Sequence, residues 1–204
     1  MAKSKAKGRS QGRSQGRSQG RTAAGSRGAS QRQKDAIALL KEDHREAENL
    51  FEQFEKARDD DRKQMLATQV CNALKVHTMI EEEIFYPAFL AATQDLEIHH
   101  EAEVEHNGAK KLIAEIEASG PDDEYYDAKV KVLSEMIKHH VKEEEQPGGM
   151  FAEARKADMD LQSLGERMQE RKMELMEEMQ MDMPQARGGR RAGMAERSAS
   201  GRHR

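Results

Sequence analysis

The sequence is poor in the residues that build large cores and covalent frameworks. It has no tryptophan, one cysteine, 4% aromatic residues and 36% hydrophobic residues in a chain of 204. The single cysteine, Cys71, excludes an intramolecular disulfide framework and a zinc site built mainly on thiolates. Cys71 is most simply a small buried residue of a helix, although a redox role stays open. A core can form only where the apolar residues are concentrated in part of the chain.

Long apolar runs are also missing. No stretch approaches the roughly 20 apolar residues that a membrane-spanning helix needs, so we expect no transmembrane segment. The first residues are basic but no apolar region follows them, so we expect no secretory signal peptide. These absences predict a cytoplasmic protein.

Charge is unevenly distributed along the chain, which the net charge of -4 conceals. Residues 1–34 carry ten Lys and Arg and no acid, and residues 184–204 carry six Arg and one Glu. Residues 35–183 carry 18 basic and 37 acidic residues. The first segment repeats Gly-Arg-Ser-Gln and has almost nothing apolar to offset the entropy cost of ordering. We therefore predict disordered basic tails at 1–34 and 184–204, flanking an acidic body.

The basic tails are compatible with two roles. The simpler role is that of flexible, solubilising segments. The alternative is a weak, salt-sensitive contact with nucleic acid or another anionic surface through arginine. No aromatic residues are interleaved with the arginines for base stacking, which weakens this alternative without removing it.

Apolar residues recur every three or four positions from residue 35 to about residue 155, as in amphipathic helices. Four such stripes are separated at residues 59–61, 87–95 and 119–122, where Asp, Pro, Gly and Ser are typical of helix ends and starts. Short connections make successive helices antiparallel. The sequence therefore predicts an all-α, up-down-up-down four-helix bundle over residues 35–157.

A weaker helical period returns over residues 158–183. Its apolar positions are Leu161, Leu164, Met168, Leu175, Met179 and Met183. Since methionine is an adaptable core filler, we expect a Met-rich amphipathic helix that packs on the bundle or on a partner. An adaptable partner-binding surface and a soft-metal site are the alternatives.

Each of the four predicted bundle helices carries a histidine on its apolar stripe, and two of these histidines are followed four residues later by a glutamate. The six residues are His44, His77, Glu81, His106, His140 and Glu144. Residues i and i+4 share one helix face, so all six side chains are expected to converge on the bundle interior. One such histidine alone would be an ordinary hydrogen-bonded core residue.

The whole set is costly to bury unless it binds metal, because an unpaired carboxylate in an apolar interior is strongly destabilising. Four-helix bundles hold dinuclear metal sites with inward carboxylates and histidines on facing helices. Two carboxylates that can each bridge indicate two ions. Imidazole and carboxylate ligands without thiolate suit iron or manganese, and zinc less specifically.

Neighbouring ionisable residues are expected to play other parts. His139 lies about 100° around the helix from the stripe that leads to His140, so His140 and Glu144 are preferred as the inward pair. His99 lies two turns before His106, too far to share an ion with it, and is expected at a cap, at the surface or beyond the ligands. Five acidic neighbours are expected to be solvated: Glu42, Asp43, Glu46, Glu82 and Glu83.

Four stretches resemble hemerythrin-like HHE cation-binding domains. They are LLKEDHREAENLF (39–51), VHTMIEEEIFYPA (76–88), AEVEHNGAKKLI (102–113) and HHVKEEE (139–145), in the family order. The resemblance covers roughly residues 35–152 and implies a non-haem di-iron centre that binds dioxygen or related small molecules. It implies that His44 and His77 hold one iron and that His106 and His140 hold the other. Glu81 and Glu144 would bridge the two irons, together with a solvent-derived oxo or hydroxo group.

Two features depart from the family pattern. The oxygen carriers that this family includes have another histidine where this chain has Lys110. The difference leaves either an open position on one iron, which favours reactivity over reversible carriage, or a replacement ligand. Gln-Pro-Gly-Gly at residues 146–149 is expected to end the fourth helix just past Glu144.

Three functions follow from these features. The first is binding or sensing of dioxygen, nitric oxide or peroxide at a di-iron site. The second is enzyme-like, either peroxide removal or delivery of iron to damaged iron centres, with Tyr86 or His99 as candidate proton donors if they lie near the cavity. The third is a nucleic-acid-associated protein that uses its basic tails.

Overall fold

The structure of the chain, a computed structural model, describes residues 34–182. The predicted basic tails, apart from Lys34, and Met183 lie outside the described residues. The elements are α1 (Ala36–Lys56), α2 (Asp60–Ile80), a π-helical segment (Glu81–Phe85), α3 (Tyr86–Thr93), α4 (Leu96–Glu117), α5 (Tyr126–Glu145), α6 (Met150–Lys156) and α7 (Leu161–Asp182). Among the residues from 34 to 182, no helix has the length and apolar character needed to cross a bilayer.

Four antiparallel helices form a closed bundle. They are α1, the continuous helix made of α2, the π-helical segment and α3, then α4, and finally α5. α1 packs on α2, α2 on α4, α4 on α5, and α5 returns to α1. The predicted all-α four-helix bundle is therefore confirmed.

Aspartate side chains fix the starts of four helices. The backbone N–H groups of residues 38, 62, 98 and 163 donate to the carboxylates of Asp35, Asp59, Asp95 and Asp160 at 2.7, 3.0, 3.2 and 3.0 Å. Such caps satisfy N–H groups that have no partner within the helix. The predicted break at 59–61 lies at the start of α2, and the predicted break at 119–122 lies between α4 and α5.

The break predicted at residues 87–95 begins too early, although the observed interruption at Gln94 and Asp95 lies within that range. Pro87 lies inside a continuous helix that runs on to Thr93 and ends at Gln94, whose φ of 56° is left-handed. The preceding π-helical turn closes with the N–H of Tyr86 donating to the carbonyl of Glu81, five residues back. Pro87 follows directly after this turn, as the second residue of α3.

A polar layer divides the core into two apolar halves. One half includes Phe51, Val70 and Ile113, and the other includes Leu40, Phe85 and Phe151. On α1, for example, His44 lies between Leu40 of one half and Ala47 of the other. The bundle thus encloses ionisable side chains within an otherwise apolar interior.

α7 packs along the outside of α1, α2 and the π-helical segment. Its apolar face buries Leu164, Met168 and Leu175, while Met173 and Met176 stay exposed. Gly165 permits the contact with the start of α1, because a Cβ there would lie 2.4 Å from the carbonyl oxygen of Lys34. The Met-rich helix therefore packs on the bundle, which is one of the two arrangements expected from its sequence.

Candidate metal centre

The structure brings all six predicted site residues into the polar layer. α1 supplies His44, α2 supplies His77, the π-helical segment begins with Glu81, α4 supplies His106, and α5 supplies His140 and Glu144. None of the six is more than 5% exposed. His139 is 59% exposed at its side chain and points outward, as its position around the helix predicts.

The inward atoms form two overlapping groups. His44, His77, Glu81 and Glu144 make one group, and Glu81, His106 and His140 make the other, with the candidate ligand atoms of each group within 4.8 Å of one another. Glu81 belongs to both groups. Glu144 also spans them, since its Oε2 lies 3.3 Å from Nε2 of His44 and 3.7 Å from Nε2 of His140.

Several inward atoms are buried without a hydrogen-bond partner among the residues that the structure describes. They are Nε2 of His44, Nε2 of His77, Oε1 of Glu81 and Oε2 of Glu144. Buried polar atoms in native proteins are rarely left in this state, and a missing ion is one of the standard explanations. Nitrogen and carboxylate oxygen are donors that fit iron, manganese or zinc. The residues present therefore fit a metal centre.

Tyr86 reaches the same space. Its hydroxyl donates towards Oε1 of Glu144 at 3.2 Å and towards Oε2 of Glu81 at 3.4 Å, and it lies 3.1 Å from Nε2 of His106. In a regular α-helix, residues five apart point about 140° away from each other. The π-helical turn between Glu81 and Tyr86 removes this offset and brings both side chains to the centre. Of the two candidate proton donors named from the sequence, the structure places Tyr86 within reach.

His99 lies outside the two inner groups. It is half-buried, its ring is 6.0 Å from that of Tyr86 between centroids, and it forms a separate surface group with His100 and Glu103. This agrees with the expectation that His99 lies beyond the ligands.

Each inward histidine directs its Nδ1 atom to a carboxylate, and the four carboxylates form an outer carboxylate ring. Asp43 of α1 faces His77, Glu82 of the π-helical segment faces His106, Glu105 of α4 faces His140, and Glu145 of α5 faces His44, at 3.7, 2.9, 2.8 and 2.9 Å. Each ring residue is the sequence neighbour of an inward residue on its own helix and reaches the histidine of the next helix. A carboxylate at Nδ1 fixes the tautomer that leaves Nε2 free to bind metal.

Basic side chains pair with the outer carboxylate ring. Lys41 contacts Glu145 at 2.7 Å, Lys110 contacts Glu82 at 2.6 Å, His139 lies 3.4 Å from Glu105, and Lys172 contacts Asp43 at 2.5 Å. Lys110 therefore acts on His106 through Glu82. It holds the carboxylate that orients this histidine.

Two of the five acidic neighbours are placed differently from the sequence-based expectation. Asp43, expected to be solvated, has a side chain that is only 7% exposed, because it turns inward between α1, α2 and α7. Glu82, also expected to be solvated, is half-buried against His106 and Lys110. Glu42, Glu46 and Glu83 are exposed, as expected.

The pKa values reflect this concentration of charge. Burial lowers the pKa of His77, but the negative charges of Glu81 and Asp43 outweigh it and raise the value to about 10. Burial also lowers the pKa of His106, but contacts with Glu81 and Glu82 outweigh burial and raise the value to about 9. Burial and the charges of Glu81 and Glu144 hold the pKa of Tyr86 well above its usual range. In the absence of metal, protons on His77 and His106 offset part of the buried carboxylate charge.

A small void adjoins the histidines on the side away from Tyr86. It measures about 10 Å³, close to the volume that one water molecule needs. Its walls are apolar apart from the histidines, Asp43 and Thr78, and include Ala47, Leu74, Ile137 and Val141. The ring of Phe151 stacks on the ring of His44, with centroids 5.8 Å apart, and so covers one of the inward histidines.

A four-helix bundle with a buried layer of histidine and glutamate defines a metal-binding bundle protein. The sequence model of the hemerythrin HHE cation binding domain matches residues 35–147, more than half of the chain. The chain therefore belongs to the hemerythrin HHE cation-binding domain family.

Two similar proteins extend the comparison. A crystal structure of a hemerythrin HHE cation binding domain-containing protein from Mycobacterium kansasii superimposes with a TM-score of 0.61, over 72% of this chain and 91% of that chain, at 23% identity. This likeness shows the same fold. A DNA nickase from Nostoc is 24% identical over 126 residues, which are 60% of this chain and 35% of the nickase. The chain thus spans about a third of the length of that relative.

Proposed function

We propose that this protein holds two iron ions in the polar layer and uses them to bind or sense dioxygen, nitric oxide or peroxide. The observation that carries the proposal is the set of buried inward atoms on His44, His77, Glu81 and Glu144 that have no hydrogen-bond partner within residues 34–182. In this proposal, His44 and His77 hold one iron, and His106 and His140 hold the other. Glu81 and Glu144 span both groups and are suited to bridge the irons.

The surrounding residues prepare the site. The outer carboxylate ring accepts the Nδ1 protons of the histidines and so keeps each Nε2 available for metal. Phe151 and the apolar walls of the void limit the entry of water. When bound, two irons supply the redox and small-molecule binding chemistry that amino-acid side chains lack.

Tyr86 favours the enzyme-like alternative of peroxide removal. Its hydroxyl lies within 3.4 Å of His106, Glu81 and Glu144. A buried hydroxyl at this place can donate a proton to a small oxygen species beside the irons, or it can itself serve as a ligand. Lys110 is engaged by Glu82, so Tyr86 is the better candidate for a replacement ligand.

Two histidines on α4 give a matched test of this proposal. His106→Ala removes a buried inward nitrogen, whereas His100→Ala changes an exposed side chain six positions earlier. We expect His106→Ala to lose at least one iron per chain and His100→Ala to keep both, measured by elemental analysis of the purified proteins. Equal iron content in both variants would contradict the proposed site. Peroxide turnover that His106→Ala leaves unchanged would contradict the enzyme-like alternative.

A nucleic-acid-associated role is the second candidate function, and the similarity to a DNA nickase together with the basic tails favours it. Arginine-rich segments bind phosphate groups in a salt-dependent way. We expect deletion of residues 1–34 and 187–204 to weaken DNA binding at low salt, measured by fluorescence anisotropy. Unchanged binding after the deletion, or no binding by the full chain, would contradict this role.

A further inference from the structure

The outer carboxylate ring is balanced by basic side chains in two different ways. For three carboxylates, the basic side chain comes from the same helix as the histidine that the carboxylate faces: Lys41 with His44, Lys110 with His106, and His139 with His140. The carboxylate that faces His77 is Asp43, and its basic partner is Lys172 of α7. Residue 172 lies outside residues 35–147, which match the family.

Asp43 depends on this partner. Its side chain is 7% exposed and that of Lys172 is 19% exposed. A buried carboxylate without a compensating charge is strongly destabilising, and removal of one partner of a buried pair costs more than the pair itself contributes. Since Lys172 contacts Oδ1 of Asp43, the other oxygen, Oδ2, is left to face His77.

His77 is also the histidine whose outer contact is incomplete. Its Nδ1 lies 3.7 Å from Oδ2 of Asp43, and both atoms are buried without a hydrogen-bond partner among the described residues. The other three histidines already have Nδ1 contacts of 2.8 to 2.9 Å. A shift of less than about 1 Å would turn the Asp43–His77 contact into a hydrogen bond.

We propose that Lys172 of α7 is a positioning residue for the metal centre, which holds Asp43 against Nδ1 of His77 and thereby completes the outer carboxylate ring from outside the family domain. This inference rests on the proposed di-iron function. It makes α7 a fifth helix of the metal centre, and it assigns a role to a lysine that touches none of the proposed ligands. The packing of Leu164, Met168 and Leu175 sets the register that brings Lys172 to Asp43.

The test is a cycle of variants in the full-length, iron-loaded protein, read by the midpoint potential of the centre in a spectroscopic redox titration. We expect Lys172→Met to raise the potential, because Asp43 is then no longer held against Nδ1 of His77, and the lost contact makes His77 a less electron-donating ligand. We expect Lys172→Arg to restore the wild-type value. Arg171→Met is the matched control, because Arg171 pairs with the exposed Glu83 and not with the outer carboxylate ring. It should leave the potential unchanged.

Asp43→Asn distinguishes positioning from a direct effect of the lysine charge. If Lys172 acts through Asp43, Lys172→Met shifts the potential in the wild-type background and has no effect in the Asp43→Asn background. An equal shift in both backgrounds, or no shift in either, would overturn the inference. If Lys172→Met loses iron, the inference requires that adding Asp43→Asn restores iron binding, and failure to restore it counts against the inference.

Iron content separates this inference from the proposed function. A wild-type protein that binds no pair of irons overturns the proposed function and this inference with it. A wild-type protein with two irons, and a Lys172→Met variant with the same iron content and the same potential, overturns the role of Lys172 alone.

Discussion

The hydroxyl oxygen of Tyr86 lies 3.1 Å from Nε2 of His106, the atom that this histidine directs to the centre of the bundle. The π-helical turn at Glu81–Phe85 produces this relationship, since it moves Tyr86 onto the same face as Glu81. π-helical turns within α-helices are frequent at functional sites. The same hydroxyl also donates to the carboxylate of Glu144.

Replacement of Tyr86 by Phe should weaken the metal-free protein. We expect the free energy of unfolding in urea to fall by about 1–3 kcal/mol, because buried carboxylates lose a hydrogen-bond donor. Tyr125→Phe is the control, since the side chain of Tyr125 is largely exposed, and it should change stability by no more than about 0.5 kcal/mol. If Tyr86→Phe lowered the free energy of unfolding by no more than Tyr125→Phe does, the Tyr86 hydroxyl would make no stabilising hydrogen bond.

Metal binding should release protons. The pKa of His77 is about 10, above the value of about 6.5 for an unfolded chain. The charged His77 therefore stabilises the metal-free fold fully below about pH 6.5, and this contribution is lost as the pH rises through about 10. A metal-bound imidazole must be neutral, so metal affinity should increase with pH over this range. Titration with Mn²⁺ or Zn²⁺ at several pH values measures this, and a pH-independent affinity would contradict it.

Cys71 should be inert in the folded protein. Burial, reinforced by the charge of Glu117, raises the pKa of its thiol to about 12, and the residue is fully buried. Because the thiolate is the reactive form, iodoacetamide at about pH 8 should label the chain only after unfolding. Mass spectrometry of native and urea-treated samples measures the labelling. Rapid modification of native protein would instead favour the redox role that the sequence left open.

The packing of α7 should contribute to stability. Leu175 is 1% exposed, and Leu175→Ala should lower the free energy of unfolding by about 2–5 kcal/mol through lost burial and a residual cavity. Met173→Ala, two positions earlier and 52% exposed, should cost no more than about 0.5 kcal/mol. Chemical denaturation of the two variants compares them directly. If both substitutions lowered the free energy of unfolding by the same small amount, α7 would not be packed stably on the bundle.

The bundle and the inward residues could be predicted from the sequence because both depend on local periodicity. Apolar residues at intervals of three and four fixed the faces of the helices, and the i, i+4 relation placed His77 with Glu81 and His140 with Glu144. The predicted helix faces and i, i+4 pairs stay the same even if the predicted ends of the helices are wrong by a few residues. The predicted interruption at residues 87–95 began too early, because the π-helical turn before Pro87 accommodates this proline within a continuous helix.

The outer carboxylate ring could not be predicted, because it depends on how neighbouring helices are rotated against each other. Asp43 and Glu82 are adjacent in sequence to inward residues and, by periodicity alone, belong to a solvated face. Contact with the next helix buries them, and the Lys172–Asp43 pair joins residues 129 positions apart. One signal was present in the sequence: an acidic residue stands beside an inward residue on each bundle helix.

Metal content combined with an optical spectrum tests the central claim most directly. The protein is purified from iron-supplied cells, reduced without oxygen and then exposed to air. The proposed site predicts about two irons per chain and an oxo-bridge charge-transfer band that returns on oxygenation. A folded bundle that contains no metal, or a single zinc ion, would contradict a di-iron centre in this protein.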